Sequence, residues 1–493
     1  MSTLAGKETM QAFVKRWQDV FTRVMAVPVV FFGVGIYRAW LAIFFRYDAF
    51  PTIGAFDYFL FEGAIGVTSL VLAFSARKIA PLWSNTSIRK ASALCMMGGS
   101  TLIVISCFVV QSFALKCAGL ILAGMGLGAL ILMWAEFYGS LNPLRVALYH
   151  AIAIFFGEII KWLFVGMSAP YLAFFAIVLP LVSLAWVRSS MKKLPEVDLP
   201  HKTAKEDTYV FPWKPIALMS ACTFAGGFGA LPAQTLLVGN IAGALLVTAL
   251  VFFGVLSASK WFNFDTIYQL AFPLFIIGFL LVSPAFTMGK EVTALCYEAG
   301  YTMLSMFIMM VLSNITYRFG ISAVWLSGIE RGIRYLVELM GWMFYAWVSV
   351  QAPSSMTSLI YTGITLVMII LFVVIFFTEK GLSARWGITS QSFDGAAETA
   401  AGKAGKLSLR VSDLSKKHDL SPREEEVLQL IARKQTAAQI EKDLYVAPGT
   451  IKAHISHIYR KLDVHSRDEL YTLLEPPPTG TTRPEQEHPE ASL

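Results

Sequence analysis

The chain has 493 residues, of which 56% are hydrophobic and 15% charged, with a formal net charge of +7 and a mean hydropathy of +0.60. Soluble proteins carry about 25% charged residues, so this composition excludes an ordinary soluble globular protein and points to a membrane protein. The five cysteines (Cys95, Cys107, Cys117, Cys222 and Cys296) fall in or beside apolar blocks with no CxxC pair, which argues against a disulfide framework or a cysteine metal site and reads as buried free thiols.

Residues 1–26 are polar and amphipathic, with Lys7, Lys15, Arg16 and Arg23 among Phe13, Val14, Trp17, Val20 and Phe21. Two readings suit this cytoplasmic juxtamembrane segment: a helix lying at the membrane surface, or a basic flank to the first span. Residues 27–378 are then apolar in blocks. A spanning helix needs about 20 mostly apolar residues, and about twelve such segments are predicted. Six run near 27–45, 54–74, 91–110, 113–135, 144–165 and 168–187. After the basic loop 188–214, six more run near 214–233, 236–256, 267–286, 294–316, 320–348 and 358–378.

Lys and Arg cluster in alternate loops. With the N-terminus in the cytoplasm, the inside loops hold Arg77, Lys78, Arg89, Lys90, Arg145, Arg188, Lys192, Lys193, Lys202, Lys205, Lys214, Lys260 and Arg318, and the outside loops hold Arg46, Lys116 and Lys290. The positive-inside rule then places both termini in the cytoplasm of a bacterial cell, with the chain crossing the inner membrane many times. Six spans, a basic central loop and six more resemble the major facilitator superfamily over residues 27–378. The resemblance implies two six-helix halves with a ligand site between them near mid-membrane. One departure stands out. Transporters of that superfamily usually carry a Gly-x-x-x-Asp-Arg-x-Gly-Arg-like loop between spans two and three. Here the stretch is SARKIAPLWSNTSIRK, which keeps the basic residues but not the Gly and Asp.

Ionised side chains within a span cost at least about 2.5–3.5 kcal/mol each on insertion scales, so they mark pockets or pairs. In SGIERGIRYLVELMGW, Glu330, Arg334 and Glu338 are spaced i, i+4, i+8 on one helix face, with Arg331 beside it. This set either meets the anionic or hydroxyl group of a small-molecule ligand, or is neutralised along the helix or across to another helix. Glu158 and Lys161 are spaced to pair in the same way, and Arg38 of the first span is placed to pair with Glu62 of the second. His150, Asn240, Glu298 and Asn314 read as single helix–helix hydrogen bonds. Most of the abundant aromatics read as packing or interface belt, and some as the wall of a pocket for a planar ligand.

Residues 379–419 are rich in Gly, Ala, Ser and Lys and are expected to be a flexible tether, spanning about 35 Å. Residues 476–493 are a Pro-rich, polar tail expected to be disordered. Between them, residues 420–475 carry the pattern of about four short helices. Ser421 with Glu424, Thr436 with Gln439, and Ser466 with Glu469 form S/T-x-x-E/Q capping boxes, and Pro422 and Pro448 occupy N1 positions. Apolar residues recur at helical spacing, from Val427 and Ile431 through Ile451, Ile455, Ile458 and Leu462 to Leu470 and Leu473. The stretch YVAP is a short turn before the third helix, as in a helix-turn-helix. That helix shows small, polar and basic residues on its outer face and no acid between Pro448 and Leu462. A carboxylate there would repel phosphate, so the face suits the major groove of double-stranded DNA. Because acids such as Glu424, Glu425 and Glu426 offset the cations of the unit as a whole, the alternative reading is a small helical interaction domain.

LSPREEEVLQLIA and IEKDLYVAPGTIKAHISHIYRKLDVHSRDEL resemble the LuxR/GerE helix-turn-helix family across its whole length. The matches run from Leu420 to Glu424 and from Gly449 to Lys452, with His454, Ile458, Lys461, Leu462, Ser466 and Arg467. Three positions depart: Lys434 replaces a usual Gly, Gln439 a usual Glu, and Ala447 a usual Ser or Thr, the last removing a cap worth about 1 kcal/mol. The resemblance implies that Lys452, Ala453 and Ser456 face bases and that Thr450, His457, Arg460, Lys461 and Arg467 meet phosphates. It also implies that the last helix pairs two copies on a two-fold operator.

The expected fold is therefore all-α: a polytopic, major-facilitator-like membrane helix bundle followed by a four-helix LuxR-type domain. The expected function is a membrane-bound one-component transcriptional regulator. Its membrane domain senses an unidentified small molecule through Arg38, Glu62, Glu158, Lys161, Glu330, Arg331, Arg334 and Glu338, and its C-terminal domain binds promoter DNA as a homodimer. The alternative is a facilitator-type transporter with an appended DNA-binding domain. The sequence has no Ser/His/Asp set, metal cluster, phosphate loop or dinucleotide loop, so neither an enzyme nor a cofactor or metal is expected.

Overall fold

A computed structural model describes residues 27–45, 47, 49–50, 55–141, 143–194, 211–234, 237–256 and 290–351, with isolated positions at 273–274, 276–277 and between 356 and 370. In the C-terminal part it describes 411, 414–415, 417–432, 435–436, 439–440 and 448–474. The N-terminal segment, most of the ninth and twelfth expected spans, most of the tether, the YVA of the helix-turn-helix break and the tail lie outside the described residues. The chain divides into two compact units, Met1–Ala397 and Glu398–Leu493.

The membrane unit begins with a 3₁₀ turn, Val29–Phe32, and ten long helices follow among the described residues. They are α1 (Gly33–Phe45), α2 (Ala55–Ile79), α3 (Thr86–Phe108), α4 (Phe113–Gly139), α5 (Pro143–Phe164), α6 (Ala169–Lys192), α7 (Trp213–Gln234), α8 (Leu237–Leu256), α9 (Lys290–Phe319) and α10 (Ala323–Gln351). They coincide with the first eight, the tenth and the eleventh expected spans. Six are long and apolar enough to cross a membrane, and two more are shorter apolar helices. At about 1.5 Å per residue, the 27 residues of α4 outreach a hydrocarbon core of about 30 Å.

Their starts are fixed locally. The Asn85 side chain accepts from the Ser87 and Ile88 amides at 3.1 and 3.3 Å at the head of α3, and Ser112 accepts from Leu115 at 3.4 Å at the head of α4. The burial pattern is that of a protein whose solvent is lipid. Phe74, Leu94, Tyr171 and Trp162 are 65–75% exposed, while Glu158, Glu330 and Arg334 are 1–2% exposed. Inside the first half, indole and hydroxyl groups tie helices together. Trp40 Nε1 donates to Ala176 O at 2.7 Å, Trp134 Nε1 donates to Ser183 Oγ at 3.2 Å, and Ser183 donates to Gly33 O at 3.0 Å.

The two halves meet mainly through α2 against α10 and α5 against α8. In span numbers these are two with eleven and five with eight, which exchange if each half is rotated onto the other. The α2–α10 approach is close because Gly328 faces Ser69 and Ala73, and Gly332 faces Leu70. Gly35 of α1 lies against Gly157 of α5, where either added Cβ would strike the opposite backbone. That contact sets the distance between their neighbours Arg38 and Glu158.

The C-terminal unit has its own core, in which Val427, Leu428, Ile431, Ile440, Ile451, Ile458, Leu462, Leu470 and Leu474 are buried. Its described helices are α11 (Pro422–Ala432), α12 (Pro448–Leu462) and α13 (Arg467–Leu474). Two capping boxes close in both directions. Ser421 N donates to Glu424 Oε2 at 2.7 Å and Glu424 N donates to Ser421 Oγ at 3.3 Å. Thr436 N donates to Gln439 Oε1 at 2.8 Å and Gln439 N donates to Thr436 Oγ1 at 3.4 Å. The third closes one residue early: Glu469 N donates to Ser466 Oγ, but the Glu469 carboxylate accepts from His465 N. The core also reaches into the segment expected to be tether. Val411 and Leu414 are helical and pack against it. Two apolar residues in a Ser- and Lys-rich stretch give too weak a periodicity to show this in sequence.

Candidate ligand cavity and DNA-reading helix

The membrane unit holds a polar cavity of about 130 Å³ between its halves. Four cations line it, Arg38 from α1, Lys161 from α5 and Arg331 and Arg334 from α10, with three carboxylates, Glu62 from α2, Glu298 from α9 and Glu338 from α10. Tyr37, Tyr58, Tyr297, Tyr301 and Tyr335 supply hydroxyls and ring faces. The Tyr297 and Tyr301 rings stack at 6.4 Å with an interplanar angle of 9°.

Two further carboxylates sit behind the wall, each between two of the cations. Glu158 Oε1 lies 2.6 Å from Lys161 Nζ and 3.5 Å from Arg38 Nη2. Glu330 lies 3.3 Å from Arg334 Nε and 3.2 Å from Arg331 Nε. Arg38 Nη2 also lies 3.7 Å from Glu298 Oε1, an ion pair that joins the first half to the second. All eight expected ligand residues therefore belong to this cavity or to the carboxylates behind it. The Glu158–Lys161 pairing is present, and so is self-neutralisation of Glu330 and Arg334 along α10. The Arg38–Glu62 pairing is corrected: Arg38 turns to Glu158 and Glu298, because the Gly35–Gly157 contact draws α5 closest to it. Sequence reasoning missed Glu298, which read as a lone polar residue. Its signal was present as an ionisable group in an apolar span, between Tyr297 and Tyr301, but the spacing named no partner.

On the C-terminal unit, α12 turns Ile451, Ile458 and Leu462 inward. Lys452, Ala453, Ser456, His457 and Arg460 are exposed along its outer face. Thr450 lies in its first turn, and the helix holds no acidic residue. Two of the expected phosphate contacts have work inside the domain. Lys461 Nζ donates to Glu424 Oε2 at 2.8 Å and to Asp419 O at 2.9 Å, pinning α12 to the head of α11. Burial pushes the Glu424 carboxyl up, but the bonds from Lys461 and Ser421 outweigh it and hold it down at about 2. Arg467 donates from Nε to Tyr471 Oη at 2.8 Å and from Nη2 to Gln435 O, and its guanidinium lies over the Tyr471 ring. Lys461 thus orients the reading helix, while Arg467 ties α13 to the segment that follows α11. Lys461 keeps one of its three ammonium donors for a phosphate.

A polytopic helical bundle with a charged central cavity, joined to a helix-turn-helix unit with a basic reading face, defines the class: a membrane protein with a DNA-binding regulator domain. Residues 418–474 match the bacterial regulatory proteins of the luxR family, and this region is a LuxR-type helix-turn-helix domain. It is 42% identical over 66 residues to the probable transcriptional regulatory protein NarL of Mycobacterium tuberculosis, covering 13% of this chain and 30% of that protein. It is 32% identical over 62 residues to the putative HTH-type transcriptional regulator YhjB of Escherichia coli strain K12, covering 13% of this chain and 31% of that protein. The chain thus spans under a third of the length of these relatives. By shape it is similar to the human organic anion transporter MFSD10 (TETRAN), with a TM-score of 0.48, 15% identity and coverage of 70% of this chain and 97% of that one. It is also similar to the major facilitator superfamily transporter FucP in the outward conformation, with a TM-score of 0.45, 14% identity and coverage of 72% and 99%.

Proposed function

We propose that this chain is a one-component membrane regulator. A small molecule enters the cavity between the halves, shifts the bundle between two arrangements, and so changes how the C-terminal domain occupies promoter DNA. The observation that carries this reading is the charged cavity, bridged between the halves by Arg38 and Glu298, in a chain that ends in a LuxR-type domain. A ligand that competes for that bridge favours one arrangement of the halves over the other. In this reading both termini are cytoplasmic, in line with the basic inside loops, and two copies pair on a two-fold operator. No enzymatic step is part of it.

Two assays on the full chain test the reading. Footprinting on the chain's own promoter region should give a protected site that Lys452→Ala removes; no specific footprint would sink DNA readout. Uptake into proteoliposomes should be absent for molecules that alter the footprint. Saturable uptake abolished by Arg334→Lys would replace the receptor with a transporter carrying a regulatory domain.

A further inference from the structure

Arg334 is 2% exposed and lines the cavity. Its Nε faces Glu330 at 3.3 Å and its Nη1 donates to the Tyr301 hydroxyl at 3.4 Å. Its Nη2 is buried with no hydrogen-bond partner among the described residues. The guanidinium lies over the Tyr335 ring at 5.1 Å, which fixes its plane. A buried donor left without an acceptor is costly. The planar fork of an arginine matches a carboxylate or a phosphate, and beside three cavity carboxylates the singly charged carboxylate is repelled less.

A carboxylate alone does not suit the rest of the wall. One turn along α10, Glu338 lies on the same face as Arg334, with about 5–6 Å between Cβ atoms at that spacing. Glu62 and Glu298 face the same space from α2 and α9. A ligand with only a negative charge meets three carboxylates there, and a ligand with only a positive charge meets four cations. Between walls whose charged groups are mostly buried, each mismatch is weakly screened. A molecule with both charges leaves the net charge of the cavity unchanged and matches each sign locally.

We propose, resting on the receptor reading above, that the cavity binds a small zwitterion with one carboxylate and one ammonium a few ångströms apart. The carboxylate sits on the Arg334 fork beside the Tyr301 hydroxyl, and the ammonium turns toward Glu338. An α-amino acid has this chemistry, and about 130 Å³ favours a small one.

The test uses the full chain in detergent micelles and reads its thermal unfolding midpoint against each of the twenty common L-amino acids. The strongest responder is then compared with its carboxylate-only and amine-only analogues. The expected result is a saturable rise in midpoint with at least one amino acid and about ten-fold or weaker binding of both analogues. Arg334→Lys, which keeps the charge but loses the fork, and Glu338→Gln should each weaken binding about ten-fold or more. The analogue comparison needs only the wild-type chain, so it decides even if a variant fails to fold. The proposal is overturned if no amino acid shifts the midpoint, if an analogue with one charge binds as tightly, or if both variants bind like wild type. If it fails while another molecule still alters the footprint, the receptor reading stands and only the zwitterion is lost.

Discussion

In the membrane unit, Glu330, Arg334 and Arg331 are 1%, 2% and 8% exposed, while Phe74 and Leu94 are 75% and 72% exposed. In the C-terminal unit the order reverses: Ile451 and Ile458 are fully buried and Lys452 and Arg460 lie on the surface. The same residue types therefore carry opposite meanings in one chain. Where the surroundings are lipid, a charge must find a partner or line a cavity, and each charged residue is a clue to a site. Where they are water, charges are free to face outward, and only their arrangement along a helix is informative.

The largest expected effect breaks that comparison on the membrane side. Glu330→Gln leaves Arg331 and Arg334 buried without their shared carboxylate. It should destabilise the bundle by about 3–5 kcal/mol, read as a drop in the unfolding midpoint in micelles. An unchanged midpoint would mean that water reaches this pair freely. On the other side, Ile458→Ala opens a cavity in the small core and should cost about 2–5 kcal/mol in chemical unfolding of residues 398–493.

How much of this was legible in sequence follows from the same contrast. The C-terminal unit was readable almost residue by residue, because capping boxes and a 3.6-residue period are local signals. Ser421–Glu424 and Thr436–Gln439 close as spaced, and Lys452, Ala453, Ser456, His457 and Arg460 face outward. What sequence could not give was the tertiary duty of Lys461 and Arg467, whose partners Glu424 and Gln435 lie over 30 residues away. In the membrane unit the spans were legible from apolar runs. The pairs along one helix were legible from i, i+3 and i, i+4 spacing. The cross-helix pairs were not, because helix neighbours in a bundle are set by small-residue contacts such as Gly35 with Gly157. Spacing alone therefore points Arg38 to Glu62 rather than to Glu158 and Glu298, and names no partner for Glu298.

Smaller effects sharpen the picture of the reading helix. Lys452→Ala should weaken operator binding by about 1–3 kcal/mol in a fluorescence titration while leaving the fold intact. Loss of folding instead would place Lys452 in the core. The smallest effect is a pH dependence. Glu424 titrates at about 2 in the folded domain against about 4.3 in an unfolded chain. Its contribution is therefore fully present above about pH 4.3 and is lost as pH falls through about 2. Lys461→Ala removes its ammonium partner, so acid unfolding of residues 398–493 should begin at higher pH than in wild type. An unshifted acid transition would show that the Lys461–Glu424 contact does not hold α12 to α11.

The most direct measurement of the central claim is the affinity of the full chain for its operator DNA, in micelles, with and without each amino acid that raises the unfolding midpoint. If the cavity and the reading helix are coupled, a saturating ligand should change that affinity about five-fold or more, and Arg334→Lys should abolish the change without altering ligand-free DNA binding. Operator affinity that a saturating ligand leaves unchanged would contradict it.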